Sequence, residues 1–218
     1  MTAALITLLH LLVFAYWLGG DLGAFHASFV LADPKRSREA RVAAAGGLAN
    51  LDMAPRSALI LALPTGLSAA AAAGWVAIPP LGLVAVWIIG LAWLALAWRL
   101  HLTHATPGSA WRTVDLALRW LLLTGLAAGG AAILLNIIDW PLFLGLKLLV
   151  LAACVALGLL VRRLLAPFGP AFGALASGVG TEEHDRTIAG AMAKVRPAVM
   201  AIWGLLVVAA LLGLWRPQ

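Results

Sequence analysis

The sequence predicts an all-α, polytopic membrane protein, a helix bundle of about six transmembrane helices with both termini on the non-cytoplasmic side. Of its 218 residues, 63% are hydrophobic and only 11% are charged, far from the balance of a soluble globular domain. The apolar residues also fall into runs of about 20, the length that crosses the hydrocarbon core of a bilayer. We therefore expect a single integral membrane domain over residues 1–218.

Polar or proline-containing breaks separate the predicted spans. The first span ends at DPKRSRE, and GWVAIPPLG and HATPGSAWR follow the second and third. Pro141 begins the fifth span, because proline suits the first turn of a helix. The segment between Pro167 and Pro197 is glycine-rich and then polar, which predicts a partly interfacial helix. The spans are expected at residues 3–31, 51–75, 79–103, 115–137, 141–165 and 197–215.

Basic residues set the predicted orientation. The loops after the first, third and fifth spans carry most of the Lys and Arg residues, whereas the opposite loops carry only Asp139. Positively charged loops stay in the cytoplasm, so both termini should face away from it. This placement accounts for the net charge of +6 without a nucleic-acid partner. We expect a multi-pass protein whose partner is the lipid bilayer of a bacterial-type inner (cytoplasmic) membrane.

Ionisable side chains within the spans are the candidate functional residues, because they are costly and rare in a membrane. His10, Trp17 and Asp21 follow an i, i+7, i+11 pattern, so they share one face of the first helix. Lys147 should lie at the depth of His10, roughly 10 Å below the outer boundary. The pair predicts a pocket with a histidine for a metal and a lysine for an anion. Alternatively, His10 bonds a backbone carbonyl and Lys147 extends towards Asp139.

A second ionisable group lies towards the cytoplasmic side. Asp52 and Arg56 are four residues apart, as are Asp115 and Arg119, the spacing at which charges pair on a helix. They are either interfacial ion pairs or part of a site in which Arg56 and Arg119 hold haem propionates or a quinone headgroup. The candidate metal ligands at this end are His26, His101 and His104.

The residue types favour haem iron over copper. Copper prefers Met and Cys ligands, but the four Met residues form no cluster and there is one Cys. Haem b (heme b) takes neutral imidazole between apolar walls. His10 and His26 are about 24 Å apart along one helix, too far to share an iron. A bis-histidine haem would use His26 with His101 or His104, whereas a haem at His10 needs Lys147 or an open sixth position.

Two stretches resemble a known membrane family. LLHLLVFAYWLGG, with His10 seven residues before Trp17, and WPLFLGLKLLVL, with Lys147, are similar to the HemJ-type protoporphyrinogen IX oxidases and their CopD-like relatives. The resemblance implies a membrane haem-b protein in which His10 ligates the iron. The second histidine of the HemJ-type proteins is missing after Lys147, and the third and fourth spans look like an insertion. A CopD-like relative is therefore expected rather than a protoporphyrinogen oxidase.

Three functions follow as hypotheses. The first is a haem b-binding redox protein, or a membrane-anchor subunit, that exchanges electrons with a membrane carrier. Its partners would be a quinone or a redox partner subunit. Assembly of the chain with a second copy of itself, as a homo-oligomer, is also considered. The second is a CopD-like copper or small-ion transport protein, and the third is a structural membrane subunit without a cofactor.

Overall fold

The computed structural model describes residues 2–104 and 108–216, and within them every regular element is a helix. The predicted all-α membrane-type bundle is therefore confirmed. Residues 105–107 of the predicted break HATPGSAWR lie outside the described residues. The helices are α1 (Thr2–Ala32), α2 (Arg38–Leu51), α3 (Met53–Ala72), α4 (Pro80–Leu102), α5 (Ala110–Leu134), α6 (Leu142–Leu164), α7 (Phe168–Ala176) and α8 (Glu182–Trp215).

The six long helices form a closed ring in the order α1, α3, α4, α5, α6, α8, with α8 packed back against α1. Neighbours in this ring run antiparallel. The main apolar core lies inside it and joins α1, α3, α5, α6 and α8 through residues such as Trp17, Leu59, Val155 and Ile202. The short helices α2 and α7 cover one end. We call this the basic end: α1, α4 and α6 end there, and α3, α5 and α8 begin there.

Among the described residues, five helices are long and apolar enough to cross a membrane: α1, α4, α5, α6 and α8. The remaining predicted span, the second one at residues 51–75, corresponds to α3, whose apolar sequence is interrupted by Arg56, Pro64 and Thr65. α3 is also rich in buried residues, because it packs between α1 and α4. The structure therefore supports a multi-pass protein, in which α3 is shielded by its neighbours.

Two segments extend or correct the predicted helices. α2 occupies a stretch in which the sequence predicts no helix, and the Ser37 side chain caps its first turn. α8 begins at Glu182 rather than at Pro197, because Thr181 and His184 form a capping box there. Pro197 therefore lies inside α8. The other predicted spans match helices to within about five residues at each end.

A buried arginine joins three elements at the basic end. Arg41 of α2 is 2% exposed. Its Nε donates to the Leu31 carbonyl at the end of α1 (2.9 Å), and its Nη1 pairs with Asp185 of α8 (2.7 Å). A buried guanidinium needs such partners. Arg41 thus fixes α2 and the start of α8 against the end of α1.

Close packing of α1 on α3 depends on Gly20. A Cβ atom at position 20 would lie 2.5 Å from the Ala54 Cβ and 2.8 Å from the Pro55 Cδ. A Cβ atom at the adjacent Gly19 would instead meet nothing within 4 Å. Small residues at helix interfaces allow this close approach in membranes.

Gly20→Ala should lower the free energy of unfolding by about 1–3 kcal/mol, the usual cost of overpacking a well-packed interior. Gly19→Ala is the matched control, and it should leave stability unchanged or slightly raised, because Ala is the better helix former. Thermal unfolding of both variants in the same detergent measures the difference. Equal midpoints would show that the α1–α3 contact is looser than described.

Candidate functional site

A cavity of about 190 Å³ lies inside the ring at the basic end. We call it the central cavity. Its deeper walls are apolar and include Trp17, Leu59 and Ile202, together with the Cys154 thiol. Its ionisable lining consists of Asp21 from α1, Asp52 and Arg56 at the start of α3, Arg119 from α5, Arg162 from α6 and Arg196 from α8.

One carboxylate pairs with two of these arginines. Asp115 of α5 is 2% exposed. It accepts hydrogen bonds from Arg162 Nη2 at 2.7 Å, Arg119 Nε at 3.2 Å and Trp93 Nε1 at 2.9 Å. The predicted pairing of Asp115 with Arg119 is present, and Arg162 is an additional partner on α6. Because two guanidinium groups share one carboxylate, their positive charge is only partly balanced.

The other two arginines differ in their partners. Arg56 forms a close ion pair with Asp52, as the spacing predicts, and the Arg56 side chain is 44% exposed at the mouth of the cavity. Arg196 donates to the hydroxyl and the carbonyl of Ser28, each at 3.2 Å, and lies over the Phe29 ring at 3.8 Å. Within the described part of the chain Arg196 has no carboxylate partner.

Like charges crowd the cavity wall. The positive charges of Arg119 and Arg56 both act on Arg162. Four guanidinium groups line the cavity. The nearby carboxylates are Asp52 and Asp115, which pair with them, and the unpaired Asp21. One positive charge is therefore in excess even when all three acids are ionised. An anion in the cavity would relieve this repulsion.

Asp21 lies on the α1 side of the cavity, partly buried. It forms no ion pair with any described residue. The charged group that acts on it is another carboxylate, Asp52. The indole groups of Trp17 and Trp203 face it, although the buried Trp203 Nε1 has no partner at hydrogen-bonding distance. Asp21 is thus a carboxyl group inside a span without a cation beside it.

His10 lies towards the other end of α1, and its hydrogen bond defines its tautomer. Its Nδ1 is 2.9 Å from Thr65 Oγ1, and this hydroxyl is 2.6 Å from the Leu61 carbonyl. A carbonyl oxygen cannot donate, so the hydroxyl hydrogen goes to Leu61 and Nδ1–H donates to Thr65. In the neutral imidazole, this arrangement leaves the lone pair on Nε2. The ring lies over Gly66, where a Cβ atom would be 3.2 Å from the imidazole.

Lys147 on α6 is within electrostatic reach of His10. Its ammonium group lies beside α8, where a Cβ atom at Gly213 would be only 2.9 Å from Nζ. Lys147 pairs with no acid among the described residues. The structure thus brings His10 and Lys147 near each other, away from the central cavity.

No described contact joins the three histidines expected near the cytoplasmic side. His26 is exposed and makes no hydrogen bond within the described ranges, whereas His101 Nε2 lies 3.1 Å from the Asn50 Oδ1. His104 is exposed just after α4, with a positive φ of 46°. Across residues 2–104 and 108–216, no group of three or more His, Cys, Asp or Glu side chains is placed to hold a metal ion.

Haem b fits these positions only in part. His10 supplies one imidazole nitrogen whose tautomer suits iron, since a histidine ligand usually donates its other N–H to a neighbour. No described contact joins His26 to His101 or His104, so nothing in the arrangement supports the bis-histidine site. The central cavity is smaller than the roughly 300–1,000 Å³ of typical cofactor and drug sites, and no histidine lines it.

The sequence does not mark Arg162 and Arg196 as site residues, because both look like ordinary basic residues near the ends of spans. Their partners, Asp115 and Ser28, are far away in the chain. The one sequence feature that could have indicated a site role is the position of Arg162 within the last turn of an apolar helix. A basic side chain there reaches either outward to water or inward to a cavity.

Comparison with known proteins gives no match among protein-family models, curated proteins or solved structures. The resemblance to the CopD-like and HemJ-type proteins therefore stays a prediction that rests on its two short motifs.

Asp115→Asn should destabilise the bundle by about 3–5 kcal/mol, because it leaves two guanidinium groups without a counter-charge inside the protein. Asp33→Asn is the control: Asp33 pairs with Arg36 where both side chains are at least one-third exposed, so its loss should change little. Chemical unfolding in mixed micelles measures both. A loss below about 1 kcal/mol for Asp115→Asn would contradict the central role of this carboxylate.

Proposed function

We propose that this chain is an integral membrane protein that binds a small anionic solute in the central cavity. The observation that carries the proposal is the excess of guanidinium groups over carboxylates around the central cavity. Arginine suits this task, because its planar group offers five donors and remains charged at any physiological pH. Low-dielectric walls strengthen the attraction relative to water.

The donors of Arg196 are the best candidates for direct contact with the anion. Its two observed hydrogen bonds go to neutral oxygens of Ser28, so its charge is not neutralised by an acid in the described chain. Arg162 keeps donors beyond the one that it gives to Asp115. Together they would hold the anion from α8 and α6, near the mouth.

The size and lining of the cavity limit the solute. An apolar cavity of about 150 Å³ holds a benzene molecule, and this one has about 190 Å³. A carboxylate with a small apolar group matches it, with the carboxylate among the arginines and the apolar part towards Leu59 and Ile202. The basic loops favour a cytoplasmic position for this end, so the solute would come from the cytoplasm of a bacterial-type cell.

A second candidate function rests on His10. Its fixed tautomer leaves Nε2 available for a haem b iron with an open sixth position, and Lys147 would attract an anionic substituent. A bound haem would supply one-electron redox chemistry towards a membrane carrier such as a quinone or towards a partner subunit. Nothing among the described residues favours copper, because no Met or Cys ladder accompanies the histidines.

Anion binding is testable with benzoate on the full chain in lipid nanodiscs at constant ionic strength. Benzoate should raise the unfolding midpoint, since a ligand stabilises the state that binds it, whereas the uncharged isostere benzamide should not. Arg196→Gln should weaken benzoate binding by about ten- to hundredfold, the usual worth of a charge-assisted hydrogen bond.

The matched control is Arg163→Gln, an exposed arginine at the same end that does not line the cavity. Its benzoate affinity should equal that of the wild type. The proposal fails if neither benzoate nor phosphate stabilises the protein, or if both arginine variants lose affinity equally.

Haem binding is tested by the absorption spectrum of protein purified after expression with excess haem. A haem at His10 predicts a Soret band that His10→Ala abolishes and His26→Ala leaves intact. Thr65→Val should shift the band without abolishing it, because only the orienting hydrogen bond is lost. Colourless wild-type protein, or a band that survives His10→Ala, would rule this site out.

A further inference from the structure

Asp21 is the charged group of the central cavity that the proposed function leaves unexplained. It belongs to the same cavity as the four arginines, yet it forms no ion pair in the described part of the chain. An ionised carboxylate inside a span is costly unless it is paired. A proton is the simplest alternative partner.

The neighbouring helices place different charged and titratable groups around Asp21. From α3, Asp52 adds a second negative charge that is itself paired with Arg56. From α6 come the Cys154 thiol and Arg162, and α2 contributes only the apolar Leu48. The other charged groups that face the cavity are Arg119 from α5, itself paired with Asp115, and Arg196 from α8.

An anion in the central cavity would be a further negative charge in the cavity that Asp21 and Asp52 already line. The anion and an ionised Asp21 therefore repel each other, and this repulsion disappears when Asp21 carries a proton. The two binding events are linked reciprocally. If ionisation of Asp21 lowers the affinity for the anion, then a bound anion must raise the affinity of Asp21 for its proton by the same factor.

We propose that anion binding in the central cavity is coupled to protonation of Asp21, so that the site takes up an anion and a proton together. This inference rests on the proposed anion-binding function. In this proposal Asp21 binds the proton, and Arg196 and Arg162 bind the anion. Asp52 is the neighbouring negative charge that favours the protonated form of Asp21. No bond other than the O–H bond of Asp21 is formed or broken.

The test is isothermal titration calorimetry of benzoate binding to the wild-type protein in nanodiscs, between about pH 5.5 and about pH 9. At each pH, two buffers with different ionisation enthalpies are compared, because the difference in heat gives the number of protons taken up on binding. Benzoate stays ionised over this range because carboxylic acids titrate near pH 4. The affinity of the wild type should fall by about tenfold or more as pH rises through the titration of Asp21. In that range, a fraction of a proton should be taken up per benzoate bound.

Two variants separate Asp21 from other causes. Asp21→Asn should bind benzoate with nearly constant affinity over the whole range and without proton uptake. Asp33→Asn, an exposed acid after α1, should keep the wild-type profile. If Asp21→Asn does not fold, Asp52→Asn serves instead: removal of the neighbouring negative charge should move the midpoint of the wild-type profile to lower pH.

The outcomes distinguish the two proposals. Benzoate binding with no pH dependence and no proton uptake overturns the coupling and leaves the anion site standing. A pH dependence that persists in Asp21→Asn also overturns it, because another group would then be the proton site. Absence of any benzoate or phosphate binding in the wild type overturns the anion site and the coupling with it.

Discussion

The charge on Asp115 is the constraint on which the interior of this bundle depends. This single buried carboxylate meets Trp93 of α4, Arg119 of α5 and Arg162 of α6, so it connects three successive helices of the ring. Because it is shared between two guanidinium groups, it holds them in the protein and balances only one of their two positive charges. Asp115 thus keeps two arginines beside the central cavity with part of their charge unbalanced, and the proposed anion site rests on that remaining charge.

α1 contributes the polar side chains that do not belong to this network. Its inward face carries His10 near one end and Asp21 beside the cavity, with buried Trp17 between them. The close contact at Gly20 brings α3 against this face, which is why Thr65 reaches His10 and Asp52 comes near Asp21. One helix therefore presents an imidazole and a carboxyl group to the interior, and α3 supplies a polar neighbour of each.

The sequence alone predicted most of the fold and less of the site. Hydrophobic runs located the long helices, since the bilayer fixes their length. The runs could not reveal α2 or the first half of α8, because those segments are amphipathic and are held by Arg41 and Asp185, 144 residues apart in the chain. Spacing predicted the pairs Asp52–Arg56 and Asp115–Arg119, which are local. It could not predict that Arg162 joins Asp115, or that Arg196 binds Ser28 168 residues away, because such contacts depend on which helices become neighbours.

The two polar regions on α1 are separate sites. His10 and Asp21 are eleven residues apart, roughly 16 Å along the helix, about half the thickness of the hydrocarbon core. Buried apolar residues of the core, including Val13 and Leu206, lie among the helices that surround both regions. A small molecule held by the arginines therefore cannot also contact the imidazole. A ligand at His10 would be recognised by one nitrogen lone pair and one ammonium group, whereas a ligand in the central cavity would be recognised by excess positive charge. Since these chemistries differ, the occupant of one site does not identify the occupant of the other.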